Sequence, residues 1–351
     1  MATGSSVSRT SFTKFRVTNQ RVELWRVVNP TLELIQWGDT TPNNNATVTL
    51  TDADAQTSPN GSTAAWLLGG NRSQTINGVI NFSNKIDGGA GNDTINGGEL
   101  IDYLYGNTGN DQLNGGDGAD RLSGGAGRDT LSGGSDNDFL FGDDGDDSLV
   151  GGDGSDTIYA GEGNDTIIGD GSFRFAGNDI IFGGNGNDSA SGGNGNDYLA
   201  GEAGNDTLDG NAGNDTIVGG LGSDVLTGAA GNDAFVFRLG DSKQGATIFT
   251  DTITDFARGT DKIWLDWANY ETSVTTRNPL NVTVADGLNG GTDLSFDFVG
   301  NGVGTDYRIN LSNIRASSLG TGSTLQKNLN EMFILYDQRA VSYPPAAPAM
   351  I

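Results

Sequence analysis

The chain has 351 residues, no cysteine, no histidine, and 45 Asp/Glu against 19 Lys/Arg, a net charge of −26. The missing cysteine excludes disulfides and thiolate metal sites. The missing histidine excludes H-E-x-x-H zinc proteolysis and Ser-His-Asp hydrolysis, which leaves only mechanisms built on carboxylates, Tyr, Lys or Arg, such as glycoside cleavage.

Taken in chain order, residues 1–64 read as a β-rich cap. Strands are expected within 12–28, 31–37 and 47–50, where Val, Leu, Phe and Trp partly alternate, with a turn at Pro42-Asn43-Asn44-Asn45. This piece is mildly basic, with five Lys/Arg against three Asp/Glu over residues 1–50. No apolar h-region of a signal peptide opens the chain, and no apolar run is long enough to span a membrane. From residue 65 a degraded period begins, in which Leu67, Ile76 and Ile86 fall at spacings of nine and ten without aspartates.

A strict nine-residue period follows. Its aspartates are Asp93, Asp102, Asp111, Asp120, Asp129, Asp138, Asp147, Asp156 and Asp165. After five extra residues between 170 and 177 it resumes at Asp179, Asp188, Asp197, Asp206, Asp215, Asp224 and Asp233. Two residues beyond each Asp stands an apolar residue, Ile95 to Phe235, with Ala190 the one small member. Seven copies are complete G-G-x-G-x-D. They place Gly89 and Gly91, Gly116 and Gly118, Gly125 and Gly127, Gly152 and Gly154, Gly184 and Gly186, Gly193 and Gly195, and Gly220 and Gly222 at the second and fourth loop positions. A unit this short has a strand of about three residues and buries nothing alone, so neighbouring units must stack. Glycine supplies positive φ in the turn. Where it is replaced, the substitute is often Asn or Asp, as at Asn107, Asp136, Asp143 and Asn211, residues that tolerate that region. A loop with one carboxylate and several carbonyls is a hard-oxygen site suited to calcium.

These copies resemble the glycine-rich nonapeptide of RTX (repeats-in-toxin) proteins. The resemblance implies an all-β fold, a right-handed parallel β-roll with two nonapeptides per turn, and multiple Ca2+ ions, about one per gap between stacked loops. The sixteen aspartates and the loop glycines named above are then the candidate metal site. With two units per turn the aspartates form two columns, one running from Asp93 to Asp224 and one from Asp102 to Asp233. Neighbours about 4.8 Å apart in a column repel by about 1 kcal/mol in bulk water and more at lower dielectric, so the roll is expected to need cations to fold.

The roll is expected to span 65–236 and a β-rich closing region 237–351. Asp251-Thr252-Ile253-Thr254-Asp255-Phe256 and Asp261-Lys262-Ile263-Trp264-Leu265 resemble the segment that closes many RTX domains, and strands are expected within 294–298, 307–311 and 332–336. The family commonly carries a C-terminal type I secretion signal; the Pro- and Ala-rich tail 342–351 departs from its acidic-then-apolar ending.

Sorted by face, Tyr103, Tyr105, Phe139, Phe141, Tyr159, Phe182 and Tyr198 share one outward side of the roll, while small polar residues fill the other. A patch this apolar is normally covered or used, and residues 1–64 are expected to fold over it. The candidate partners are calcium, a cell-surface glycan, and a second copy through the aromatic face; the acidity argues against nucleic acid. The function expected is a secreted, extracellular, calcium-binding structural or adhesive protein. A glycan-binding or carbohydrate-active scaffold is the alternative, and an ice-binding solenoid a remote one.

Overall fold

A computed structural model describes residues 13–18, 21–28, 31–39, 46–49, 64–78, 83–171, 177–238, 243–244, 247–266, 281–286, 291–297, 307–319 and 333–336. The chain divides into two compact units, Met1–Gly152 and Asp153–Ile351. Both are built on one plan, a parallel β-solenoid in which each nine-residue unit contributes one short strand and successive strands alternate between two sheets.

In the first unit one sheet runs through Ala64–Gly70, Ser83–Ala90, Tyr103–Thr108, Arg121–Ala126 and Phe139–Asp144. The other runs through Gln74–Asn77, Thr94–Gly98, Gln112–Asp117, Thr130–Ser135 and Ser148–Asp153. Register follows the repeat: Leu104 pairs with Leu122 and Leu122 with Leu140 in one sheet, and Ile95 with Leu113 and Leu113 with Leu131 in the other. The second unit repeats the pattern. Ile158 pairs with Ile181, Ile181 with Leu199 and Leu199 with Ile217, while Ile167 pairs with Ala190 and Ala190 with Leu208. Of the stretch 170–177 that carries the five extra residues, 172–176 lie outside the described residues, and Thr157↔Ile180 shows that the strands beyond it return in phase.

The apolar row is the core. Its members from Ile76 to Phe235 are no more than 1% exposed, except Ala190 at 4%. Full burial of each such Leu or Ile contributes roughly 1.5–3 kcal/mol, and none is reached until the next turn is laid down. Ile76 and Ile86 share the row, so the aspartate-free rungs before the regular repeats are structural turns.

The ends depart from the parallel pattern. Thr13–Thr18 pairs in parallel with Ala64–Gly70, then antiparallel with Arg21–Val28, which pairs with Thr31–Asp39; Ala46–Thr49 adds to Gln74–Asn77. The described part of the N-terminal region therefore lengthens both sheets in their own planes. This corrects the expectation that it folds over the aromatic face: a chain presenting strand-like backbone beside an open edge satisfies its N–H and C=O groups by joining the ladder.

At the other end Lys262–Asp266 joins Ala234–Arg238 and Phe333–Tyr336 joins Lys262–Asp266, all in parallel. Thr250–Ile253 and Tyr307–Leu311 extend the opposite sheet, which finishes in an antiparallel meander through Thr292–Asp297 and Asn281–Asp286, the last not foreseen from sequence. The described strands thus include those expected near 294–298, 307–311 and 332–336. The tail 342–351 lies outside the described residues.

Candidate metal centre

Each repeat loop is forced into shape by its glycines. The second- and fourth-position glycines named from sequence all have positive φ, from 93° at Gly89 to 144° at Gly186. Asn107, Asp136, Asp143 and Asn211 stand at 74°, 75°, 72° and 68°, as their residue types predict. Glu202 at 73° and Ala229 at 61° adopt the same region without that excuse. Space enforces glycine as strongly as φ does, because a Cβ on Gly213 would overlap the carbonyl oxygen of Gly195 in the preceding turn. One first-position site relaxes the rule, since Ala160 is fully buried there.

All sixteen repeat aspartates are buried, none more than 3% exposed. Their Oδ1 atoms form ladders along the two columns expected from the period. The backbone N–H of Asp93 donates to Asp111 at 2.6 Å, Asp111 to Asp129 and Asp129 to Asp147 at 2.7 Å each. In the other column of the first unit Asp102 donates to Asp120 and Asp120 to Asp138, again at 2.7 Å. In the second unit Asp179 donates to Asp197 at 2.8 Å and Asp197 to Asp215 at 2.9 Å, with Asp165, Asp188 and Asp206 bonded likewise in the neighbouring column.

The second oxygen has no such partner. In Asp93, Asp102, Asp111, Asp120, Asp129, Asp179, Asp188, Asp197, Asp206, Asp215 and Asp233, Oδ2 is buried and receives no hydrogen bond. It lies against the Cα of the first loop glycine: a Cβ on Gly88 would collide with Asp93 Oδ2, and one on Gly183 with Asp188 Oδ2.

Burial of a carboxylate in this state pushes its pKa up. Asp179 rises to about 8. Asp93, Asp120, Asp206 and Asp215 rise to about 7. Asp102, Asp129, Asp188, Asp197 and Asp233 rise to about 6. Desolvation is the largest cause in every case, the backbone N–H bond opposes it, and neighbouring carboxylates add a smaller upward push where they act at all. Dehydration of each carboxylate adds to the repulsion expected along the column and exceeds it.

The residues fit a hard divalent cation. Buried carboxylate oxygens without donors, in loops too tight for a Cβ, are what oxygen ligation by calcium uses. Among the described residues no three acidic side chains converge on one point, so a cation here would be held by at most two carboxylates together with loop carbonyls.

The family described as RTX calcium-binding nonapeptide repeat (4 copies) matches residues 81–104, 96–131, 105–140, 141–172, 174–208, 201–235 and 209–242. Residues 81–242 are RTX calcium-binding repeats. Among solved structures, the chain is similar to the solution structure of the AlgE6R3 subunit from the Azotobacter vinelandii mannuronan C5-epimerase. The identity is 23% and the TM-score 0.29, over 47% of this chain and 93% of that one. No curated protein matches the chain.

Two features of the RTX repeats escaped the sequence reading. Directly before the aspartates runs an exposed second ladder, in which the side-chain oxygen of one turn accepts the backbone N–H of the next. It joins Asn178 to Asn196 at 2.6 Å, Asn196 to Asn214 at 2.8 Å and Asn214 to Asn232 at 2.9 Å. The recurrence of Asn at that position was its visible signal.

The aspartate columns also continue past the last repeat. Asp224 N–H donates to Asp251 Oδ1 at 3.0 Å and Asp233 N–H to Asp261 Oδ1 at 3.3 Å, both acceptors being buried. Asp261 Oδ2 is already taken by Ala257 N–H at 2.7 Å. Asp255 closes the final repeat loop by accepting from Gly228 at 3.1 Å and Ala229 at 2.6 Å. Phe256 packs against Phe235, centroid to centroid 6.2 Å, and plugs the core. At the opposite end the columns start from neutral amides, with Gln74 N–H donating to Asp93 and Asn84 N–H to Asp102. The D-x-apolar step of Asp251 and Asp261 was legible, but spacings of 27 and 28 residues hid its phase.

Proposed function

We propose that the chain is a secreted protein whose RTX repeats fold on calcium outside the cell, with a structural or adhesive role at the cell surface and no catalytic group of its own. The observation that carries this is the file of buried Oδ2 atoms without donors, repeated along both columns. In a metal-free roll at neutral pH each must either hold a proton or stand charged and dehydrated, and calcium bound by Oδ2 and loop carbonyls removes that cost. Cytosolic calcium is low and extracellular calcium high, so the roll stays unfolded until export. That supports a type I transporter, which threads unfolded chains. Domain limits of 1–64, 65–236 and 237–351 suit this reading, with the outer parts closing the two ends of the sheets. Isothermal titration with calcium tests it: several ions should bind per chain. Absence of binding heat at millimolar calcium overturns it.

A further inference from the structure

In the first unit, calcium binding leaves the outer face of one sheet unused. Register sets Lys85, Tyr103, Arg121 and Phe139 side by side on four adjacent parallel strands, with Asp87, Tyr105, Ser123 and Phe141 in the next outward row. Cation and aromatic ring alternate. The Lys85 ammonium lies 5.2 Å from the centre of the Tyr105 ring. The Arg121 guanidinium lies 4.9 Å from that of Phe139 and 5.7 Å from that of Phe141. Phe141 is buried and Phe139 half-buried, so they form a firm floor, while Tyr103 is 40% exposed.

The acids of this face are engaged. Asp87 accepts from Asn107 Nδ2 at 2.9 Å and Asp143 from Ser123 Oγ at 2.6 Å. Arg121, in a chain with 45 acidic residues, makes no ion pair among the described residues, and its ring contacts leave the N–H edge of its fork for something else. The neighbouring sheet of the same unit offers Gln112, Asn114, Thr130 and Ser132 at equivalent outward positions, with neither cation nor ring.

We propose that this face binds an acidic polysaccharide bearing one carboxylate per disaccharide. An arginine fork matches a carboxylate in two parallel hydrogen bonds. Exposed tyrosine beside it offers a flat apolar surface to the C–H face of a sugar. Lys85 and Arg121 stand two strands apart, about 9.6 Å, so successive carboxylates of such a chain meet successive cations. A neutral glycan gives the Arg121 fork no carboxylate to meet. An anionic protein surface without rings gains nothing from Tyr103. The proposal rests on the calcium-folded roll proposed above, since only that fold sets the four residues in register.

The test measures retention of the calcium-loaded full chain by hyaluronan, which carries one carboxylate per disaccharide, and by neutral dextran, with circular dichroism on the same samples. Hyaluronan should retain the chain and dextran should not, and raising NaCl from about 50 to about 200 mM should weaken retention. Arg121→Gln should lower the affinity about tenfold or more, Lys85→Gln and Tyr103→Ala should lower it measurably, and Gln112→Ala on the other sheet should leave it unchanged. An intact β signal with no retention by hyaluronan, equal retention by dextran, or wild-type retention of both Arg121→Gln and Lys85→Gln overturns the proposal alone. Absence of a calcium-induced β signal overturns the folding reading and this one with it.

Discussion

A repeat aspartate divides its work between its two oxygens: Oδ1 fastens one turn to the next and Oδ2 is buried without a donor. Asp197 is bonded on both sides, receiving Asp179 N–H and donating its own to Asp215. Asp197→Ala therefore strips a buried donor of its acceptor, which costs about 1–3 kcal/mol, and removes a proposed calcium ligand. Asp102→Ala should cost less calcium-dependent melting temperature, because its loop has Leu100, 44% exposed, in place of the fourth glycine. Thermal melts of the two variants in calcium check the ranking, and equal losses contradict it. Strain is tested at Ala229, whose φ of 61° is costly for any side chain. Ala229→Gly should stabilise by about 0.5–1 kcal/mol, the left-handed penalty less the extra entropy of unfolded glycine; a lowered melting temperature contradicts that. At this scale the sequence was largely legible. Aspartates, glycines and their Asn/Asp substitutes recur in phase, whereas Asn178, Asn196 and Asn214 read as ordinary turn residues until the stacked turns put each beside the next.

At the scale of elements, the parallel strands are set by one inward apolar residue each, which is why the sequence alone places Leu104, Leu122 and Leu140. The ends were harder. A strand that joins a sheet edge and one that lies across its face carry the same alternating apolar pattern, and only the edge's unpaired N–H and C=O groups decide between them. Removing residues 1–49 should uncover the edges of Ala64–Gly70 and Gln74–Asn77, to which Thr13–Thr18 and Ala46–Thr49 are paired. In calcium the truncated chain should form concentration-dependent oligomers in sedimentation analysis. A strictly monomeric product contradicts the capping role. Asp251 and Asp261 teach the same lesson at the other end: the closing segment keeps the chemistry of the repeat while abandoning its count.

For the molecule as a whole, the raised aspartate pKa values fix the sign of its pH response. Groups that move from 3.8 to between about 6 and about 8 on folding leave the metal-free roll most stable below about pH 4, where folded and unfolded forms are both protonated. That stability is lost as pH rises through 6 to 8. Calcium needs the ionised form, so its binding must run the other way. The unfolded carboxylates are already ionised above about pH 5, so from there to about pH 8 the calcium concentration at half-folding should stay level and should rise as pH falls through about 4; a calcium requirement that grows with pH contradicts the assignment of the aspartates as ligands. The charge of −26 is visible in the composition, yet its main cost was not. Repulsion follows from counting charges, while dehydration follows from burial, which only the stacked turns reveal.

The central claim is that the roll exists only with its cations, and far-UV circular dichroism of the full chain at pH 7.5 tests it most directly. In chelator the spectrum should be that of a largely unfolded chain, and millimolar calcium should convert it to β structure in a cooperative step. A β spectrum already present in chelator and unchanged by calcium contradicts the account.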